Sequence, residues 1–256
     1  MPRIIAARAA PRVSRTRGLV LGWVLAMLGI ALFARLGIWQ LARMHEKQAM
    51  LARVQLVLQE RQPKPLSIAS DPARVRAYDW TGADGRFVDA PAVLLDNQVR
   101  DDRPGVRAYR VFQAASPGVA PVLVELGWLP VPGDRRMPAV PRIAGPVHVA
   151  GLLAPPPSAG LGRAVAMPQA DGSLLALALD MPTLRLALRQ PGLAPRVLKL
   201  DPALPLGYAR DLDILPNTLP PQRHLGYAVQ WFGLALTVLA TAIVLTLRKP
   251  RVDQTP

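Results

Sequence analysis

Residues 225–247 read LGYAVQWFGLALTVLATAIVLTL, a run of 23 residues without a charged side chain. At about 1.5 Å per residue, an α-helix of this length crosses a hydrocarbon layer of about 30 Å. A second uncharged run, residues 19–34, lies near the other end of the sequence. The two runs predict two transmembrane helices on either side of a long, polar and proline-rich segment.

The positive charges beside the two runs predict the orientation of the helices. The cations before the first run, where there is no acidic residue, are Arg3, Arg8, Arg12, Arg15 and Arg17. Those after the second run are Arg248, Lys249 and Arg251. Short basic segments stay in the cytoplasm. We therefore expect a multi-pass protein of the bacterial plasma membrane, with both termini cytoplasmic and the central segment periplasmic. The first apolar run is longer than that of a signal peptide, so we expect a retained anchor.

These features predict five segments. They are a cytoplasmic basic tail at 1–17, a transmembrane helix at 18–42, an exported domain at 43–217, a second transmembrane helix with its capped entrance at 218–247, and a cytoplasmic tail at 248–256. The first helix is expected to continue to about Gln62, with an apolar stripe covered by the exported domain: Met44, Met50, Leu51, Val54 and Leu58. The cap of the second is assigned to Asn217 or Thr218, with Pro220 and Pro221 in its first turn.

The exported domain has the pattern of a mainly β, or α+β, fold with a single small core. Its predicted strands are 85–88, 93–99, 107–114, 122–129, 147–153 and 196–200, with turns at 101–105, 116–118 and 132–134. One helix is expected after Asp180, which can cap it, and before Pro191. The segment 155–162 is predicted to be an extended loop.

Composition argues against several classes of function. The chain has no cysteine, which excludes disulfides, thiolate zinc sites and thiol catalysis. It shows no sequence pattern of a hydrolase, phosphate-binding loop, dinucleotide fold or zinc protease, so we predict that it is not an enzyme. The net charge is +14, but the cations do not form a basic motif with interleaved aromatics, and we expect no nucleic-acid partner.

His224 is the candidate ligand-binding residue, because a neutral imidazole at the mouth of a membrane helix can ligate haem iron. Tyr227, Ala228, Trp231 and Ala235 share its helix face and predict a groove with a floor of small residues and aromatic edges. Arg223 is close enough in sequence to meet a propionate of a bound macrocycle. Alternatively, His224, Tyr227 and Trp231 form an interfacial belt that anchors the helix in lipid.

Arg35 is a second candidate, since a guanidinium inside a membrane helix either reaches outward or meets an anion. It could extend beside Trp39, one turn away, or pair with a propionate or an acidic partner helix. Gly22, Ala26 and Gly29 offer a small-residue surface for another helix.

Five blocks of the sequence carry a resemblance to a known family. They are LGIWQLAR at 36–43, LDNQ at 95–98, PG at 104–105 followed by YRV at 109–111, VLVELGWLP at 122–130, and HLGYAVQWFGL at 224–234. In this order they resemble the Surfeit locus protein one family of cytochrome c oxidase assembly factors, in its bacterial form. Two positions depart from the family pattern. Leu126 replaces an arginine before Gly-Trp, and Gln98 replaces an arginine after Asn97.

The resemblance implies an assembly factor that binds haem a transiently and assists its insertion into the catalytic subunit of cytochrome c oxidase. By matching position, the haem iron ligand would be His224. The implied partners are that catalytic subunit, membrane lipid and, as a further candidate, the enzyme that makes haem a. Two other hypotheses remain: a haem-free membrane scaffold that holds the nascent oxidase subunit, and a tethered periplasmic enzyme.

Overall fold

A computed structural model of the chain describes residues 15–134, 136–157, 166–214 and 219–248. Residues 1–14 and 249–256 of the predicted tails, the predicted caps Asn217 and Thr218, and most of the predicted loop at 155–162 lie outside these residues. Residues 15–17, predicted as part of the first tail, are helical. The chain divides into two compact units, residues 1–49 with 219–256 and residues 50–218. The first contains two helical segments and the second contains a β-sheet.

The first helix, α1 (Arg15–Glu60), spans 46 residues without a proline. It ends where Arg61 adopts a positive φ of 44° and Pro63 follows two residues later. A residue in the left-handed region cannot continue a right-handed helix, and proline lacks the N–H that the next turn needs. The predicted extension of this helix past Arg43 to about Gln62 is confirmed.

The last helix, α3 (Pro221–Leu247), begins differently from the sequence prediction. Its N-cap residue is Pro220, with φ −67° and ψ 157°, which has no side-chain group that could accept a capping hydrogen bond. The reason is local, because a residue that precedes proline is disfavoured in the α region. Pro220 therefore stays extended before Pro221, so Pro221 begins the helix as predicted and the prediction of Pro220 in the first turn is wrong. The predicted caps Asn217 and Thr218 lie outside the described residues.

Two helical segments are long and apolar enough to cross a membrane, Thr16–Glu60 and Pro221–Leu247. Their best 18-residue windows are only 6% and 11% buried within the structure. Their apolar side chains thus face outward, which is unlike the core helix of a soluble domain.

The second unit is built around an eight-stranded sheet. Its elements in chain order are β1 (Asp79–Phe87), β2 (Val93–Arg100), β3 (Arg103–Ala114), β4 (Val122–Pro130), β5 (Val147–Ala154), β6 (Ala166–Pro168), β7 (Leu174–Ala176), α2 (Met181–Ala187) and β8 (Val197–Leu200). The strand order is β1-β5-β8-β4-β3-β2-β7-β6, and β1 also pairs with the end of β3. This extra pairing closes five of the strands into a small barrel.

The sheet buries apolar side chains on both of its faces, which corrects the expectation of a single small core. One cluster includes Phe112, Val124 and Leu198, and the other includes Val111, Leu123 and the α2 residue Leu184. Neighbours along a strand point to opposite faces, so β4 sends alternate residues into the two clusters. This explains why its sequence is apolar almost throughout.

All six predicted strands are present, and the structure adds two. The extra strands β6 and β7 have three residues each, too few to show an alternating pattern in sequence. The predicted turn at 101–105 is shorter than expected. Asp101 and Asp102 both have positive φ and make the turn alone, so Pro104 and Gly105 lie within β3.

The predicted helix after Asp180 is confirmed as α2. The Asp180 carboxylate accepts hydrogen bonds from the backbone N–H and the hydroxyl of Thr183, at 2.9 and 2.6 Å. Part of the predicted stripe on α1 is covered within the second unit. There Val54 is buried, Met50 and Leu58 are half-buried, and the Met50 sulfur accepts a hydrogen bond from the Tyr78 hydroxyl.

Candidate functional site

Three side-chain contacts join α1 to α3 within the helical unit. The Trp23 indole N–H donates to the Thr246 hydroxyl at 2.9 Å, the Phe33 and Trp231 rings stack with centroids 5.7 Å apart, and the Gln40 amide oxygen lies 2.7 Å from His224 Nδ1. Residue numbers rise along α1 as they fall along α3. The helices are therefore antiparallel.

The surfaces that face each other form an inter-helix seam with a heptad-like spacing. On α1 they are Ala26, Phe33, Gly37 and Gln40, and on α3 they are His224, Ala228, Trp231 and Ala235. Steps of three, four and seven residues keep one side of each helix turned to its neighbour. The small residues permit close approach of the two backbones.

Gly37 is a closely packed position of the seam. A Cβ at this position would lie 2.7 Å from the Phe232 ring, well inside van der Waals contact. Only glycine lets the Phe232 ring lie over the α1 backbone here. The contact holds the helices together one turn from Gln40.

His224 lies in the first turn of α3, and the seam encloses its ring. The residue is 8% exposed, and Nδ1 faces the amide oxygen of Gln40. Nε2 is buried and has no hydrogen-bond partner among the residues that the structure describes. Buried polar atoms are rarely left unpaired, so the unpaired Nε2 makes His224 a candidate functional residue.

The structure brings two of the six predicted site residues into the seam, His224 and Trp231. Arg223 and Tyr227 are exposed beside His224, and Arg35 and Trp39 are exposed on α1. Arg35 lies two residues from both Phe33 and Gly37, about 200° around the helix from each. It therefore faces away from α3. Ala228 and Ala235 do not form the floor of an open groove, because α1 packs on them.

Gln40 and Lys47 are not among the predicted site residues, although Gln40 lies in the family block 36–43. Both lie on the α3 side of α1. The Lys47 ammonium donates to the Leu219 carbonyl at 2.5 Å and so ties α1 to the segment before α3. Ala26, Phe33, Gln40 and Lys47 recur every seven residues. This seven-residue spacing could have indicated which side of α1 faces α3. It is hard to recognise because the residues around it are also mostly apolar.

The sheet unit contains two buried ionic clusters. Asp79, whose side chain is 0% exposed, accepts from Lys64 at 2.6 Å, from Arg196 at 2.9 Å and from Arg74. Burial alone raises the pKa of Asp79, but the hydrogen bonds from Arg74, Lys64 and Arg196 hold it at about 2. This carboxylate therefore stays charged at neutral pH and joins the segment after α1 to the start of β1.

The second cluster surrounds Glu125 on β4. Its carboxylate accepts from Arg107 at 2.5 Å, from the Tyr109 hydroxyl at 3.1 Å and from Lys199 at 3.2 Å. Burial and the adjacent carboxylate raise the pKa of Tyr109 well above its usual value, so the phenol remains a donor. The next residue, Leu126, points into the apolar core, where the family pattern would place an arginine.

The part of the chain that the structure describes contains no group of three or more histidine, aspartate or glutamate side chains arranged to hold a metal ion. The SURF1 family model matches residues 27–236, from the first third of α1 to the middle of α3.

The chain belongs to the SURF1 family. SURF1 proteins are known generally as assembly factors for cytochrome oxidase, and the resemblance seen in the sequence is confirmed. The SURF1 match includes the whole sheet unit. It also includes the seam residues of both helices except Ala26, which lies one residue before it. A comparison with curated proteins found no match.

Proposed function

We propose that this SURF1 protein is anchored in the bacterial plasma membrane by α1 and α3, binds haem a through His224 and assists its insertion into the catalytic subunit of cytochrome c oxidase. The observation that carries the proposal is the buried, unpartnered Nε2 of His224. Haem is the cargo of this protein, which acts as a carrier without catalytic residues.

The membrane arrangement is supported by the two apolar helices and by the basic segments at both ends of the chain. The absence of cysteine allows a clean test with single introduced thiols. In intact spheroplasts, a membrane-impermeant maleimide should label Ser116→Cys in the sheet unit. It should label Ser14→Cys only after the membrane is permeabilised. The reverse pattern would overturn the proposed orientation.

The donor chemistry at His224 fits a haem ligand. A neutral imidazole with one hydrogen-bonded nitrogen and one free nitrogen is the usual form of a histidine that ligates iron. When bound, haem a supplies an iron with an open coordination position for this nitrogen. Because the seam encloses Nε2, ligation requires the side chains around Nε2 to move aside while the Gln40 contact on Nδ1 is kept.

Cations at the same end of the helices suit the acidic edge of a haem. Arg43 and Lys47 follow Gln40 by three and seven residues, which places them on the same side of α1, and Arg223 precedes His224. Guanidinium and ammonium groups bind carboxylates through charge-assisted hydrogen bonds. We propose that Arg43, Lys47 and Arg223 bind the propionates, in place of the more distant Arg35.

The proposal is tested by haem content. The full chain should be purified from cells that make haem a, and its haem measured by the pyridine haemochrome spectrum. His224→Ala should lose most of the haem, whereas the matched control His45→Ala, at an exposed position of α1, should keep it. A haem-free wild-type preparation, or His224→Ala with unchanged haem content, would refute the carrier function.

A haem-free scaffold for the nascent oxidase subunit is the second candidate, and the closed seam around His224 favours it. A cavity of about 340 Å³ lies between α1 and α3 near Gly18, Gly22 and Thr241. A Cβ at Gly22 would meet nothing within 4 Å, so this face has room for a partner helix. The scaffold hypothesis predicts that Gly22→Leu abolishes co-purification with the oxidase and that His224→Ala does not.

A further inference from the structure

We infer that Gln40 is a positioning residue, which holds the His224 ring in the tautomer that leaves Nε2 free for a ligand. Its role towards haem rests on the proposed function. Its role towards the tautomer rests only on the geometry of the inter-helix seam. Gln40 and His224 are 184 positions apart in the chain and meet at 2.7 Å.

The direction of the hydrogen bond follows from the atoms that face each other. Gln40 presents its carbonyl oxygen, which can only accept a hydrogen bond. In this amide orientation the hydrogen bond forms when Nδ1 of the neutral His224 ring carries the proton. With the amide in this orientation, the opposite tautomer would place two lone pairs 2.7 Å apart. In either amide orientation it would bury an Nε2–H without an acceptor among the described residues.

The fixed tautomer has a chemical consequence. With the proton on Nδ1, the lone pair of Nε2 lies in the ring plane and is not used by any described residue. Iron and other transition metals bind histidine through such a lone pair. The partner of the other ring nitrogen sets the ring orientation and its basicity, and removal of such partners lowers metal affinity about 10–100-fold.

The position of Gln40 on α1 couples this ligand to helix packing. Gly37 lies one turn away, and its contact with Phe232 fixes the distance between the helices. The amide of Gln40 is thus held at the level of the first turn of α3. A glutamine elsewhere on α1, such as the exposed Gln48, has no such constraint.

The tautomer can be measured without haem. The full chain, labelled with ¹⁵N-histidine and placed in lipid nanodiscs, should give ring nitrogen shifts for three histidines, assigned by single substitutions of His45, His148 and His224. In the wild type, Nδ1 of His224 should be protonated and Nε2 unprotonated. Gln40→Met, which keeps the length but removes the acceptor, should shift His224 towards the other tautomer. Gln48→Met should leave it unchanged.

The second measurement is haem binding by the same variants. Gln40→Met should weaken haem affinity about 10–100-fold and change the haem spectrum, with Gln48→Met as the wild-type-like control. Gln40→Glu keeps the acceptor and should retain haem with a lower midpoint potential, because a carboxylate makes the imidazole more electron-donating. This rescue separates positioning from a loss of folding.

The outcomes distinguish this inference from the proposed function. If His224→Ala keeps its haem, the carrier function fails, while the nitrogen shifts still decide the tautomer. If His224→Ala loses haem but Gln40→Met binds it with wild-type affinity and spectrum, the positioning role fails alone. A wild-type His224 with its proton on Nε2 would overturn the inference directly.

Discussion

Replacement of Asp79 by asparagine removes the negative charge at the centre of a buried ionic cluster. The carboxylate is fully buried and accepts hydrogen bonds from Lys64, Arg74 and Arg196. Arg196 is itself 0% exposed, and two of its guanidinium nitrogens already have no partner among the described residues. Asp79→Asn therefore leaves a buried cation without its counter-ion.

The expected loss of stability can be worked out in two ways. The pKa of Asp79 falls from 3.8 to about 2, a difference of about 1.8, which corresponds to about 2 kcal/mol at 1.36 kcal/mol per unit. Removal of one partner from a buried ion pair costs about 3–5 kcal/mol. Asparagine keeps the shape and one acceptor oxygen, so we expect a loss of about 3 kcal/mol.

Urea titration of the full chain in detergent, followed by pulse proteolysis of the sheet unit, measures this loss. With a slope of about 2 kcal/mol per molar urea, the midpoint should fall by about 1.5 M. The matched control is Asp84→Asn in the same strand β1, whose carboxylate is 83% exposed and pairs with His148 at 2.8 Å. An exposed pair contributes about 0–1 kcal/mol, so the control should be close to wild type.

The difference between the urea midpoints of the two variants measures how much stability comes from the burial of the Asp79 carboxylate among its three cations. If Asp79→Asn and Asp84→Asn shifted the urea midpoint equally, this burial would not explain the contribution of Asp79. An increase in stability for Asp79→Asn would show that desolvation of the ions costs more than their attraction returns. Either result would refute the stabilising role of the cluster.

Three further predictions concern other parts of the molecule. The pKa of Asp79 is lower in the folded than in the unfolded protein, so the charged carboxylate stabilises the fold above about pH 4 and this contribution is lost towards pH 2. The free energies of unfolding of wild type and Asp79→Asn, measured by acid titration, should therefore converge over this range. Gly37→Ala should destabilise the helix pair by about 1–3 kcal/mol through contact with Phe232, measured by thermal unfolding, whereas Gly18→Ala, which meets nothing, should be neutral. Asp180→Ala should cost about 1 kcal/mol and speed amide exchange in α2; unchanged exchange would contradict the capping role.

Much of the fold could be read from local patterns. The positions of the two long helices follow from uncharged apolar runs, the extension of α1 follows from apolar residues at helical spacing up to the prolines after Glu60, and α2 follows from Asp180 and Pro182. Most long strands follow from β-branched and apolar runs between turn residues, but β1 (Asp79–Phe87), which contains two glycines and three charged residues, is predicted only from residue 85. The short strands β6 and β7 could not be predicted, since their identity depends on pairing with each other and, for β7, with the distant β2.

The candidate site divides in the same way. His224 could be singled out from its place at the start of an apolar helix and from the family resemblance, because both are properties of the sequence near it. Its partner Gln40 could not, because the sequence fixes the apolar character of α1 but not which face of it meets α3. The same holds for Asp79 and Arg196, which meet only through the pairing of β1, β5 and β8.

The sequence by itself determined two apolar helices, a β-rich segment between them and membership of the SURF1 family. Only the tertiary structure decided that His224 is enclosed, that Gln40 occupies its Nδ1 side and that Arg35 faces away from α3. The physical reason is that secondary structure depends on neighbours within a few residues, whereas the rotation of one helix against another depends on side-chain packing across the whole contact.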